Sequence, residues 1–226
     1  MEIKPLAYIH TDFKEKFGIP RQSGRVKSLT GKIVFEKEYQ DEEYLRGIEG
    51  FSHLWLIFDF SKAHREDFTP TVRPPRLGGN KRVGVFASRA PYRPNSLGLS
   101  VVKLEKIEKT KNEGTVLIVS GIDMLDNTPI YDIKPYLAYA DSISDAKSSY
   151  GEDASGYALE VDFPERFLKL IPEEKKDAVT ECLKEDPRPS YHNDDRVYSM
   201  AFAEFDIKFK VENDKLTVVD IEKRTD

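Results

Sequence analysis

His53-Leu54-Trp55-Leu56-Ile57-Phe58 is a short apolar run, rich in side chains that favour extended backbone and bounded by turn residues. Such a run reads as a β-strand. Working outward, Ile33-Val34-Phe35, Val83-Gly84-Val85-Phe86, Leu99 to Leu104 and Val116-Leu117-Ile118-Val119 repeat the pattern. Their number and spacing predict a closed or nearly closed β-structure. Asp41-Glu42-Glu43-Tyr44-Leu45-Arg46 before Gly47 predicts a short helix, acidic at its start and stopped by glycine. Glycine-rich phosphate fingerprints of the Rossmann or P-loop kind are missing, so an ordinary dinucleotide fold is not expected.

From Ser142 to Tyr157 the serines and glycines read as a linker. Beyond it, Pro164 to Leu183 carries a helical pattern interrupted at Pro172, Asp186-Pro187-Arg188-Pro189 predicts a rigid loop, and Val197 to Lys210 and Leu216 to Ile221 predict two strands. The expectation is a mainly β protein: an N-terminal closed or nearly closed β-barrel over residues 1–140, a linker at 141–157, and a small C-terminal α+β domain at 158–226.

The 226 residues, 39% hydrophobic and 11% aromatic, suffice for a real core and exclude a disordered tail. The net charge of −5 excludes a histone-like polycation, but it is unevenly spread. Residues 1–140 hold 22 basic and 18 acidic side chains, and residues 141–226 hold 13 and 22. One cysteine, Cys182, and four scattered histidines offer neither an internal disulfide nor structural zinc spacing, so no metal is expected and a reducing, cytoplasmic setting fits. Cys182 reads as packing rather than nucleophile, and His53 as a core or pocket-wall residue. A charged N-terminus and the lack of a long apolar window predict a soluble chain with no membrane association.

Three loops concentrate costly residue types. They are Ile19 to Gly24; Thr69 to Asn80 with Ala87 to Gly98; and Asp123 to Tyr136. Arginines stiffened by neighbouring prolines lose little freedom on binding, and their guanidinium forks pair with phosphate or carboxylate. Arginine also stacks on bases, so nucleic acid or a nucleotide cofactor is the favoured ligand class.

Pro20-Arg21-Gln22, Phe51-Ser52-His53-Leu54-Trp55, Thr71 to Asn80, Gly84-Val85-Phe86-Ala87, Arg93-Pro94-Asn95, Gly121-Ile122-Asp123, Asp132-Ile133-Lys134-Pro135-Tyr136 and Asp186-Pro187-Arg188-Pro189 together resemble the TrmO (TsaA, YaeB) family over essentially the full chain. The resemblance implies a homodimeric β-barrel methyltransferase. Its donor would be S-adenosylmethionine and its acceptor N6 of N6-threonylcarbamoyladenosine, beside the anticodon of threonine tRNA. Carried over by position, it implies a cofactor pocket near the subunit interface, lined by Pro20, Arg21, Gln22, Ser61, Lys62, Arg89, Leu99, Asp123, Met124, Leu125 and Asp126. Some family members have histidine where this chain has Ser61, and His64 stands three residues on.

An already activated sulfonium methyl asks the protein chiefly for alignment and exclusion of water. Arg21 or Arg89 could meet the cofactor carboxylate, and Asp126 its amino or ribose end. Asp132 or Asp126 could accept the acceptor proton, while Lys134, Arg93 and Asn95 stabilise or orient the base. Each has a plainer alternative: Arg93 and Asn95 as turn formers, Asp132 with Lys134 as an ion pair. Tyr92, Tyr131 or Tyr136 could stack an unpaired base of the anticodon loop. Lys14, Lys16, Arg25, Lys27, Arg73, Arg76, Lys81 and Arg82 could meet tRNA phosphates. Two other classes remain open: a noncatalytic regulatory module that binds an adenosine ligand or RNA, and a hydrolase of phosphorylated small molecules.

Overall fold

Strand β3 (His53–Asp59) buries Leu54, Leu56 and Phe58 and leaves Trp55 and Ile57 half-buried, the two-residue period of a sheet with a filled interior. The computed structural model describes residues 2–67, 69–74, 81–154, 157–188 and 196–224. Besides β3, its barrel uses β1 (Ala7–His10), β2 (Thr30–Phe35), β6 (Leu97–Thr110), β7 (Gly114–Ser120) and β8 (Thr128–Pro135). Around the ring the order is β1-β2-β7-β6-β3-β8, with every neighbour antiparallel, so the sheet closes and leaves no free edge. The remaining pair, β4 (Thr71–Val72) and β5 (Val83–Gly84), forms a two-stranded ribbon outside the ring.

Two details shape the open end of the barrel. The long strand β6 pairs with β3 through Lys103 and with β7 from Lys103 onward, with a register irregularity between Leu104 and Lys106. Opposite Phe58 stands Gly98, where a Cβ would lie 2.2 Å from the Phe58 ring, so the phenyl group occupies the space that any other residue would need.

After α1 (Ala138–Asp141) the chain crosses to a four-stranded sheet of order β10-β11-β12-β9, formed by β9 (Glu160–Asp162), β10 (Tyr198–Phe202), β11 (Phe205–Glu212) and β12 (Lys215–Lys223). Two helices accompany it, α2 (Glu165–Leu168) and α3 (Glu173–Lys184), which buries Ala178, Val179, Cys182 and Leu183. Pro172 caps α3, which accounts for the interruption in the helical pattern. Burial pushes the Cys182 thiol well up, so it stays a packing group. The barrel and this sheet share one apolar core, with Phe13 edge-on to Phe202 at 5.4 Å.

Several expectations need correction. Val197 to Lys210 is not one strand but the hairpin β10–β11, turning at Ala203 with φ +51°. The segment Val83 to Phe86 leaves the strand at Gly84 and continues as a 3-10 turn over Val85–Ala87. The third loop contains β8, a full barrel strand. Within the linker, Ser149–Ala154 forms a 3-10 turn, and the Tyr150 hydroxyl donates to the Ala87 carbonyl at 2.8 Å. The helix expected at Asp41 is also a 3-10 turn, over Glu42–Leu45, with Asp41 accepting from the Glu43 amide and Gly47 at φ +86°. Arg76 and Pro189 lie outside the described residues. Among the described residues no helix is long and apolar enough to cross a membrane.

Candidate active site

A cavity of about 620 Å³ opens at the barrel end where β3 finishes and β6 begins. Its first wall comes from the β1–β2 connection, through Pro20, Arg21 and Gln22. Arg21 Nη2 donates to the Arg188 carbonyl at 2.9 Å, so a residue of the C-terminal unit holds that guanidinium. Gln22 Nε2 donates to the Arg21 carbonyl at 2.6 Å, and its Oε1 accepts from Arg89 Nη1 of the second wall.

Ser61 and Lys62 form the rim after β3. Their turn is held three ways. The Phe60 amide donates to the Ser96 carbonyl at 2.8 Å, the Ala63 amide to the Phe60 carbonyl at 2.7 Å, and Lys16 Nζ to the Lys62 carbonyl at 2.7 Å. Leu99 lines the cavity from β6 and is 55% exposed, an apolar side chain facing outward at the rim.

Asp123, Met124 and Leu125 make the third wall, after the tight turn at Gly121, φ +73°. Burial pushes the Asp123 carboxyl up to about 6. The Ser100 hydroxyl, donating at 2.7 Å, the backbone amides of Ser23 and Asp123, and the charge of Arg89 all pull the other way. Desolvation wins, so this carboxyl changes charge near neutrality while facing the cavity.

Arg93 and Asn95 also line the cavity. They shape their own turn at the same time: Arg93 Nη1 donates to the Ser88 carbonyl at 3.1 Å and the Ala90 carbonyl at 3.4 Å, and the Asn95 carbonyl accepts from the Leu97 amide at 2.7 Å. Three other sequence-derived residues are not part of the lining. Asp126 accepts from the Thr11 amide at 3.0 Å and lies 3.4 Å from His10 Nδ1. Asp132 and Lys134 form an ion pair at 2.7 Å on β8.

The tyrosines separate as well. Tyr92 carries the Arg65 guanidinium over its ring at 3.9 Å, whereas Tyr136 packs against His53 and Trp55. Arg25 grips Glu185 with both Nε and Nη2 at 2.8 Å and so is engaged within the protein.

Sequence reasoning missed Asp59, Phe58, Phe60, Ser100 and Lys16 as cavity residues. Asp59 carried a signal, a carboxylate ending an apolar strand. It is buried, and its Oδ1 lies 2.6 Å from His64 Nε2.

Residues 8–142 match the sequence profile of the tRNA-methyltransferase O N-terminal domain, and residues 157–224 that of the TrmO C-terminal domain. A tRNA (adenine(37)-N6)-methyltransferase of Escherichia coli strain K12 is 37% identical, covering 99% of this chain and 98% of its own. A Pseudomonas aeruginosa protein named as a candidate S-adenosylmethionine-dependent methyltransferase is also 37% identical, over 97% of this chain and 96% of its own. A crystal structure of TrmO from Pseudomonas aeruginosa superposes with a TM-score of 0.80 at 33% identity, covering 99% of this chain and 97% of that one. With the barrel and its cavity, these matches define the class, a methyltransferase built on a closed β-barrel. The chain belongs to the tRNA-methyltransferase O family.

Proposed function

We propose that this enzyme binds S-adenosylmethionine in the barrel-mouth cavity and methylates N6 of an adenosine in tRNA. The specific acceptor is N6-threonylcarbamoyladenosine beside the anticodon of threonine tRNA. One observation carries the reading: in a chain of this family, segments 20–22, 61–62, 89, 99 and 123–125 converge on a single cavity.

The residues present suit such a cofactor. The volume of about 620 Å³ falls in the range that accepts small-molecule cofactors. Ile19, Phe58, Phe60, Met124 and Leu125 supply apolar wall, Arg21 and Arg89 suit a carboxylate, and Asp123 suits an ammonium or ribose hydroxyl. When bound, the group supplies a methyl carbon already activated by a sulfonium. This chain then has to position the acceptor nitrogen, exclude water and manage one proton. Arg93 and Asn95, fixed by their own turn, orient the base. Asp126, bonded to the Thr11 amide, and Asp132 and Lys134, paired with each other, take no part in the transfer.

The active form is a homodimer in the cytoplasm, with the exposed apolar side chains of Leu97 and Leu99 at the rim and of Phe86 in the turn after β5 as natural subunit contacts. Methyl transfer to purified threonine tRNA, with and without the threonylcarbamoyl group, followed by nucleoside mass spectrometry, tests the proposal. A new methylated adenosine restricted to the modified tRNA is the expected result. Cofactor binding without transfer would leave the regulatory-module reading instead.

A further inference from the structure

Asp59 closes β3 at the cavity wall and is 7% exposed, and a carboxylate so buried needs a partner. That partner is His64, whose Nε2 lies 2.6 Å from Asp59 Oδ1. A carboxylate that accepts makes Nε2 the donor, and in the neutral imidazole the lone pair is then on Nδ1. The imidazole itself is 61% exposed. The segment that presents it is fixed on both sides. Before it, Ala63 is buried, with its amide bonded to the Phe60 carbonyl, and Lys16 holds the Lys62 carbonyl. After it, Arg65 lies over the Tyr92 ring, next to the cavity residue Arg93. A buried acid of the cavity wall holding an exposed imidazole that directly follows the lining segment 61–63 is the arrangement of a base and its orienter.

We propose that His64 is the proton acceptor of the methyl transfer and that Asp59 is its positioning residue. This rests on the methyl-transfer reading above. As the acceptor nitrogen's lone pair forms the bond to the methyl carbon, the methyl–sulfur bond breaks and its electron pair stays on sulfur, leaving a thioether. The proton of that nitrogen passes to His64 Nδ1, and the resulting imidazolium faces the Asp59 carboxylate, which stabilises it. Asp126 accepts from the Thr11 amide and Asp132 pairs with Lys134, so both carboxylates are already committed within the protein.

Two experiments test the assignment. The first follows the histidine ring nitrogens by NMR in the cofactor-free protein. Wild type should show His64 in the Nε2–H tautomer, and Asp59→Ala, which leaves Nε2 without its acceptor, should release it into a mixture. A mixed or Nδ1–H tautomer in wild type overturns the orienting role and with it the proposal.

The second measures single-turnover methylation at saturating cofactor and tRNA. His64→Gln, which can still donate to Asp59 but cannot take a proton, should fall about 10²–10⁴-fold in rate. Its cofactor affinity should stay within about twofold of wild type, and His64→Gly should recover part of the missing rate with added imidazole. A His64→Gln rate within about threefold of an active wild type overturns the assignment alone, as does a fall that merely tracks cofactor affinity without imidazole rescue. A wild type inert toward tRNA overturns the functional reading and the assignment together.

Discussion

Asp123 faces the cavity with a carboxyl whose proton is held more tightly in the folded chain than in the unfolded one. Between the ordinary carboxylate range and about 6, the folded protein therefore binds the extra proton, and stability falls as pH rises through that window. Above it the full penalty of a desolvated charge remains, at most about 3 kcal/mol. Asp123→Asn keeps an oxygen for Ser100 and the Ser23 amide while removing the charge. Denaturant melts should find this variant more stable than wild type at pH 7.5 and equal to it at pH 3.5; an equal or lower stability at pH 7.5 would contradict the argument. Ligand binding should show the opposite face of the same group. A cationic partner in the cavity favours the ionised carboxyl, so wild-type affinity for S-adenosylmethionine should rise through pH 6 and level off above it. Calorimetry on Asp123→Asn should give a weaker affinity without that rise.

At the level of strands and turns, the β3–β6 contact makes a sharp demand. Gly98→Ala would drive a Cβ into the Phe58 ring, which is itself edge-on to Phe60 at 5.0 Å, and both rings line the cavity. We expect destabilisation of roughly 1–3 kcal/mol by chemical denaturation together with weaker cofactor binding, since the displaced ring is part of the cavity wall. The β10–β11 turn offers the reverse case. Ala203 sits at φ +51°, a conformation that costs an L-residue roughly 1–2 kcal/mol, so Ala203→Gly should leave the melting temperature unchanged or raise it. The same residue explains why the hairpin was hidden: Phe202-Ala203-Glu204-Phe205 contains none of the glycine or asparagine that announces a tight turn. Strands β2, β3 and β7 were legible because each contains a continuous apolar run, and β6 because Leu99 to Leu104 is rich in apolar and β-branched side chains. In contrast, β8 carries Pro129, Asp132, Lys134 and Pro135, which read as a loop, and ring closure rather than local preference makes it a strand. The arginine- and proline-bearing walls of the cavity were legible from composition, and their grouping around one cofactor came from the family resemblance. The meeting of Asp59 with His64 was not, because it depends on a turn whose closure is set by the Phe60–Ala63 and Phe60–Ser96 bonds.

Across the whole molecule, charge is divided by task. The β1–β2 connection is tied to the C-terminal unit by Arg25 to Glu185 and Asp12 to Lys175, both at α3, and by Glu15 to Arg224 after β12, in addition to the shared core. These pairs draw basic side chains of either part into internal contacts, and Arg25, 26% exposed and gripped twice by Glu185, is the clearest case. Arg73, Lys81 and Arg82 beside the β4–β5 ribbon are exposed, although Arg82 also donates to the Thr71 hydroxyl at 3.1 Å. A side chain that meets a phosphate and displaces a counterion contributes to the salt dependence of binding, whereas a cation already paired inside the protein does not. The two sets should therefore separate in one experiment. With Arg73, Lys81 and Arg82 changed to alanine, the slope of log affinity for tRNA against log salt should become shallower by about 0.7–0.9 for each phosphate no longer neutralised, with little change in melting temperature. Arg25→Ala should leave that slope at the wild-type value and lower stability by roughly 1–3 kcal/mol, because Glu185 keeps a half-hidden charge with no fork to hold it. If instead Arg25→Ala flattened the salt dependence and the triple variant did not, the tRNA path would run over the junction between barrel and C-terminal sheet rather than past the ribbon.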